Sequence, residues 1–410
     1  MIVLLCSTSH NQTTGYARIS YTLLKYLASA GHKVTHFAFQ NYNWLIKHSD
    51  RPVPESVKIV DVHTLSKETF GTDILLDVVK QVEPDCILIY NDVNVTSAFL
   101  TIVSSYHRKI PVVSYLDLIY KYQKRSLLDR VITCSEHVFV FSEVWKRHLI
   151  DGYGANETNI SVFPHGIDEE KFRKIDKKIA KVKIGLEEND FIIFNNNRNS
   201  YRKMLDIGLK AFVRFWKMTG CNPRVKYLIN CRTDIADGYN FFDIIKNASI
   251  EENVDYETLS NHQIILLSGV HGGCVPDDTI NSALNASDIG INTCGGEGFG
   301  LCNAEGAFLG IPQIVTNTGG LSDIFRKFPN MLVEPKVHMT LPASIDFHLG
   351  ELAICDYADF AHKMFFYYNN RDILCQDGID IEKHIKECYS WDNLLKEFDD
   401  KLRKINKISS

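Results

Sequence analysis

Two carboxylates and two cations in this sequence lie at spacings that suggest shared chemistry. Glu297 sits in the run Gly295-Gly296-Glu297-Gly298-Phe299-Gly300-Leu301, and seven residues separate it from Glu305. Four glycines between 295 and 300 let the backbone approach a ligand without Cβ interference. The apolar stretch 288–292 before the run reads as a buried strand, and 304–309 after it as a helix. The backbone N–H groups of Phe299, Gly300 and Leu301 then fall at a helix start, where donors and a positive dipole end suit an anion. Carboxylates beside an anion site need a ligand that donates hydroxyls as well as one that presents phosphates. A nucleotide sugar does both. As a plain strand–loop–helix turn, the same run would carry its glutamates as solvated charges.

The cations are Arg198 and Lys203, five positions apart in the polar loop 197–203. A strand at 191–196 precedes this loop. An amphipathic helix at 204–218, with Ile207, Phe212 and Phe215 on one face, follows it. Cations disfavour a helix start, so a pair there calls for an anion such as a diphosphate. Surface cations are the alternative.

These loops need a framework, and the chain alternates strand and helix to provide one. Strands are expected at 2–7, 34–39, 57–62, 86–90, 111–116, 137–141 and 160–163, and again at 191–196, 225–230, 264–268, 312–316 and 331–333. The helix 16–30, with Ile19, Leu23, Leu24 and Leu27 in a stripe, completes a first βαβ unit. Ser142 reads as an N-cap. Helices are also expected at 356–368, 382–388 and 390–404. Residues 335–351 read as an irregular insertion, and the lysine-rich run 169–190 as a solvated interdomain linker.

At 410 residues the chain exceeds one ordinary core, and two domains follow. A net charge of −5 argues against a general nucleic-acid binder. No apolar run approaches a membrane span. Eleven cysteines without a Cys-x-x-Cys pair suit reduced thiols and a cytoplasmic setting, not a disulfide framework or zinc site. Lys121, Lys124, Arg125 and Arg130 with neighbouring tyrosines offer at most peripheral membrane contact, or a solvated face.

The run Glu-Gly-Phe-Gly-Leu-x-x-x-Glu resembles the Glu-x7-Glu signature of retaining glycosyltransferases, specifically the mannosyltransferase-like members of family 4. Arg198 and Lys203 are similar to that family's Arg-x4-Lys phosphate pair, 164–168 to its Pro-x-Gly-(Val/Ile)-Asp segment, and Ser390-Trp391 to the start of its terminal helix. The resemblance implies an α/β GT-B fold with two Rossmann-like, doubly wound domains facing a central cleft. An acceptor-side domain would cover 1–170 with a crossing helix at about 390–410, and a donor domain 171–389. It implies a sugar nucleotide as substrate and a glycan or lipid-linked acceptor, with no cofactor. Arg198 and Lys203 would stabilise the leaving diphosphate, Glu297 would hold hydroxyls of the transferred sugar, and Glu305 the ribose. Phe299, Gly300, Leu301 and Val275 would line the donor site. Gly15 is the one glycine carried over from the family's usual pair in the first loop. A histidine common near 116–117 is replaced by Leu116-Asp117, which leaves Asp117 as a sugar or acceptor contact, or as a cap. His165 reads as a turn residue. Asp277 or Asp278 can accept the N1 and N2 protons of guanine, or cap the next helix. GDP-mannose is the expected donor, with a UDP-hexose-dependent transferase, or a catalytically weak sugar-nucleotide-binding protein, as the alternative. The sequence contains no Asp-x-Asp triplet, and no metal is expected.

Overall fold

The computed structural model describes all residues except 43–50, 234, 236–237, 268–274 and 410. It divides into two compact units, each built on a parallel sheet. Unit 1 contains Met1–His165, Leu341–Gly350 and Trp391–Ser410; unit 2 contains Gly166–Thr340 and Glu351–Ser390.

Unit 1 carries β1 (Ile2–Thr8), β2 (Lys33–Phe39), β3 (Lys58–Asp61), β4 (Cys86–Asp92), β5 (Val112–Asp117), β6 (His137–Val140) and β7 (Ile160–Val162), in spatial order β3-β2-β1-β4-β5-β6-β7. Strands such as Ile-Val-Leu-Leu-Cys are apolar on both faces because helices cover both. The strand order reverses between β1 and β4, which places ligand-facing loops at their carboxyl ends. The helix Gly15–Ser29 follows β1. Thr14 caps it, its Oγ1 accepting from Ala17 N at 3.2 Å, and Gly15 is its first residue. Ser142 caps the helix Glu143–Tyr153 as expected. The terminal helix Trp391–Ser409 packs into this unit: Phe398 stacks on Phe163 with centroids 4.5 Å apart, and His32 Nε2 lies 2.7 Å from Asp399.

Unit 2 repeats the plan with β8 (Phe191–Asn195), β9 (Val225–Ile229), β10 (Ile264–Leu266), β11 (Ile289–Asn292), β12 (Gln313–Thr316) and β13 (Leu332–Val333), ordered β10-β9-β8-β11-β12-β13. Its reversal falls between β8 and β11. The loops leaving those two strands carry Arg198 and Lys203 on one side and Glu297 on the other.

Several expectations need correcting. The run 169–190 is no solvated linker. Lys171, Arg173, Lys174, Lys177 and Lys178 each pair with a carboxylate of unit 2, and Lys181 is buried, donating to the carbonyl oxygen of Asp190 at 2.6 Å. Residues 335–351 are irregular only in part: β14 (Val337–Thr340) pairs antiparallel with β15 (Glu351–Ile354), and 341–350 join the two strands of this hairpin as a loop. Its tip, Leu341–Gly350, belongs to unit 1, outside the expected donor-domain assignment. Gly319 and Gly320 open the helix Gly319–Phe325. By the family resemblance the loop 269–278 would frame the nucleobase, and its part 269–274 lies outside the described residues.

The hairpin tip is fastened by charge. His348 Nδ1 lies 2.7 Å from Asp346 Oδ1, and its Nε2 lies 3.4 Å from Asp92 Oδ2. Burial pulls the imidazole pKa down, but Asp346 and Asp92 outweigh burial and raise it to about 9. A folded pKa above the unfolded value of 6.5 adds stability that is full below 6.5 and fades as pH rises through 9. The urea-unfolding difference between wild type and His348→Gln is therefore expected to be largest in mild acid and to vanish in alkali. A difference that grows with pH would reverse the assignment.

The glycine loop is held by close backbone packing. A Cβ on Gly320 would meet Gly298 O at 2.4 Å and Phe299 Cα at 2.7 Å, and Gly320 N donates to Glu297 O at 3.1 Å. Because the clash is with backbone, Gly320→Ala must shift the loop. We expect a loss of about 1–3 kcal/mol in thermal or urea unfolding; an unchanged midpoint would mean that the loop yields freely.

Candidate functional site

The site in unit 2 grows from two loops that clasp each other. Gly295 N donates to Arg202 O at 2.9 Å, and Thr293 Oγ1 donates to Met204 O at 2.7 Å. Gly295 has no room for a side chain, since a Cβ would meet Leu352 Cδ2 at 2.5 Å and Met204 Cε at 2.8 Å. The closeness forces Met204 into the left-handed region at φ 45°, uncommon for a long side chain.

Across this clasp Lys203 Nζ donates to Glu297 Oε2, with Arg202 3.8 Å from Oε1. Arg202 also donates to Gly296 O at 2.5 Å. The Glu297 and Lys203 side chains are only 12 % and 11 % exposed. Burial pushes the Glu297 carboxyl up, but Lys203 and Arg202 more than offset it, so its pKa lies below the ordinary value and the group is ionised. Two cations thus face one carboxylate. Lys203 thus meets Glu297 together with Arg202, and Arg198 lies on the same loop with its side chain exposed. Sequence reading missed Arg202. Its signal was its place beside Lys203 in Tyr201-Arg202-Lys203.

Gly300, at φ 103°, stands at the start of the helix Leu301–Phe308, and a Cβ there would meet Leu321 at 2.4 Å. Phe299 is buried with its ring against Tyr389, centroids 5.6 Å apart. Glu305 lies one turn into the helix and is 2 % exposed, so it is no solvated helix-start charge. A buried amide chain fixes that helix: Asn292 Nδ2 donates to Asn303 Oδ1 at 2.8 Å, Asn303 Nδ2 to Gln313 Oε1 at 2.9 Å, and Gln313 Nε2 to Ile311 O at 2.9 Å. Gly290 and Gly306 make space for the Gln313 amide, whose atoms lie 2.0 Å and 2.4 Å from where their Cβ atoms would be.

Asp277 and Asp278 sit in the first turn of the helix Asp277–Ala286, and neither caps it; the N-cap position is Pro276. Asp277 is paired with Lys171 at 2.5 Å and Asp278 with Arg173 at 3.1 Å. Val275 is half-buried just before this helix. The ion pairs of Asp277 and Asp278 are thus with Lys171 and Arg173 and not with the Lys203–Glu297 group.

In unit 1, Asp117 ends β5, and Tyr16 Oη donates to its Oδ2 at 2.6 Å. It caps no helix. His165 is fully buried, with Nδ1 2.6 Å from Tyr115 Oη and Nε2 3.5 Å from Tyr90 Oη. Burial, helped by Arg18, lowers its pKa to about 3. A neutral, enclosed imidazole of this kind serves structure. Among the described residues no cluster of three His, Cys, Asp or Glu side chains could hold a metal ion.

Comparison with known proteins gives this geometry a family. Residues 13–171 match the model for Glycosyltransferase Family 4, and residues 176–349 the model for Glycosyl transferases group 1. No curated protein matches the sequence. Sucrose-phosphate synthase from Thermosynechococcus elongatus superposes with a TM-score of 0.73 at 14% identity, over 100% of this chain and 99% of that one. A glycosyltransferase from Rickettsia africae gives 0.72 at 17% identity over 98% of each chain. Anabaena HepE, solved with UDP and glucose, gives 0.70 at 15% over 98% of this chain and 100% of that one. With both sequence models and the doubly wound pair of units in agreement, the chain belongs to the glycosyltransferases of GT-B fold.

Proposed function

We propose that the protein transfers a hexose from a nucleoside diphosphate sugar to a hydroxyl acceptor, with retention at the anomeric carbon and without a metal ion. The observation that carries this reading is the Lys203–Glu297–Arg202 group beside the start of the helix Leu301–Phe308. Two cations to one carboxylate leave positive charge for a diphosphate, and the dipole of the helix start adds to it. The exposed guanidinium of Arg198 supplies a further donor on the same loop.

As the bond between the sugar C1 and the diphosphate oxygen breaks, negative charge collects on the leaving phosphate. Lys203 and Arg198 stabilise that charge, commonly the largest contribution to such catalysis. Glu297, kept ionised, accepts hydrogen bonds from hydroxyls of the transferred sugar, and Glu305 from the ribose. The acceptor oxygen bonds to C1 on the face that the phosphate leaves, and its proton passes to the departing phosphate oxygen. Asp117, at the carboxyl end of β5, is the acceptor-side contact. The acceptor class is a glycan or lipid-linked saccharide.

For the donor, UDP-hexose now has more support than GDP-mannose. Asp277, the carboxylate suited to guanine, is held by Lys171. HepE was solved with UDP-glucose, and the trehalose-6-phosphate protein of E. coli with UDP-2-fluoro glucose.

An NMR time course with UDP-glucose and, in parallel, GDP-mannose tests the whole reading. Release of α-configured sugar from one donor, unchanged by chelator, is the expected result. A β product would overturn retention, and loss of activity with chelator would overturn the metal-free mechanism. Lys203→Ala should lower kcat/KM by roughly 10²–10³-fold. Arg198→Ala, at an exposed position, should cost about tenfold with no change in melting temperature. Full activity in both variants would remove the diphosphate from this loop.

A further inference from the structure

We propose that the tip of the β14–β15 hairpin, together with the segment 121–125, docks unit 1 onto an anionic lipid surface. Successive residues of the tip alternate in exposure. Asp346 and His348 are buried, spent on the clamp to Asp92. Ile345 and Phe347 are left 54 % and 65 % exposed. The clamp thus fixes two large apolar side chains in solvent, an arrangement that a solvated loop has no use for.

The neighbouring segment adds charge. Lys124 N donates to His348 O at 3.2 Å, and a Cβ on Gly350 would come within 2.7 Å of Lys121 O, so tip and segment pack closely. Tyr122 there is 57 % exposed. Lys121 and Lys124 are exposed and have no acidic partner among the described residues. Arg125 is exposed too, braced on Gly152 O at 2.7 Å and on Asp129. Asp346, the one acid of the tip, is turned inward. Apolar and aromatic side chains ringed by lysines match the acyl boundary and the anionic headgroups of a bilayer. The chain as a whole carries −5, so the cationic patch is a local feature. No helix among the described residues is long and apolar enough to cross a membrane.

Flotation of the purified full-length chain with phosphatidylcholine vesicles, with and without phosphatidylglycerol, tests the proposal. It needs no nucleotide sugar, so its outcome is independent of the donor chemistry. The protein should float with the anionic vesicles only, and less in high salt. Lys121→Ser with Lys124→Ser should lower partitioning about thirtyfold, near fivefold per lysine. Ile345→Ser with Phe347→Ser should lower it about tenfold. All four positions are exposed, so circular dichroism and melting temperature should not change. Failure to float with anionic vesicles overturns the proposal, as does equal flotation with neutral ones. Sensitivity to the lysine pair with none to the apolar pair would also overturn it, leaving a purely electrostatic contact.

Discussion

The buried ion pair between Lys203 and Glu297 sets the terms for the rest of unit 2. A carboxylate and an ammonium cost several kcal/mol each to remove from water, and only close mutual approach offsets that cost. The two residues leave different strands, so their loops must be drawn together at the point where the strand order reverses. The left-handed Met204, the side-chain-free Gly295 and the backbone contact at Gly320 all follow from that demand. Local strain of this kind persists only where surrounding structure over-determines it. Here the support comes from the Thr293 hydroxyl, the Gly295 amide and the packed start of the helix Gly319–Phe325.

Unit 1 uses the same sheet plan with a different chemistry at its carboxyl edge. Its buried ring cluster, Tyr90, Tyr115 and His165, is neutral; burial holds the imidazole uncharged and pushes both phenols up. Charge appears at Asp117, Asp92 and the inserted His348. Under the proposed function the two units divide the work: one would use its cations for a phosphate-bearing ligand, and the other its carboxylates for hydroxyl groups.

Much of this could be read from the sequence. Strand and helix order followed from apolar runs and periodicity, and the position of Glu297 followed from glycines that only a tight approach explains. Arg202 was legible only as a second cation beside Lys203, because adjacent cations in a short loop carry no periodicity to say which one turns inward. The hairpin 337–354 was missed because β14 is four residues long, exposed along its whole length, and separated from its partner strand by ten residues of loop. The lysines of 169–190 read as solvated because their partners, such as Asp277, Asp288 and Glu382, lie far away in sequence. Gly290 and Gly306 lie inside the expected strand 288–292 and helix 304–309, where the sequence offers no reason for a glycine. Their purpose is visible only once Gln313, from another strand, is seen to fill the space.

Unit 1 is assembled from three separate stretches of chain, and the last of them is made last. Until Trp391–Ser409 leaves the ribosome, Phe139 and Phe163 lack the Phe398 ring that covers them, and His32 lacks Asp399. The amino-terminal sheet must therefore wait, with apolar surface open, while all of unit 2 is synthesised. Domains ordinarily fold in the order of their synthesis. In this chain the second unit can finish first, and the nascent protein has a long window in which a chaperone can stand in for its own final helix.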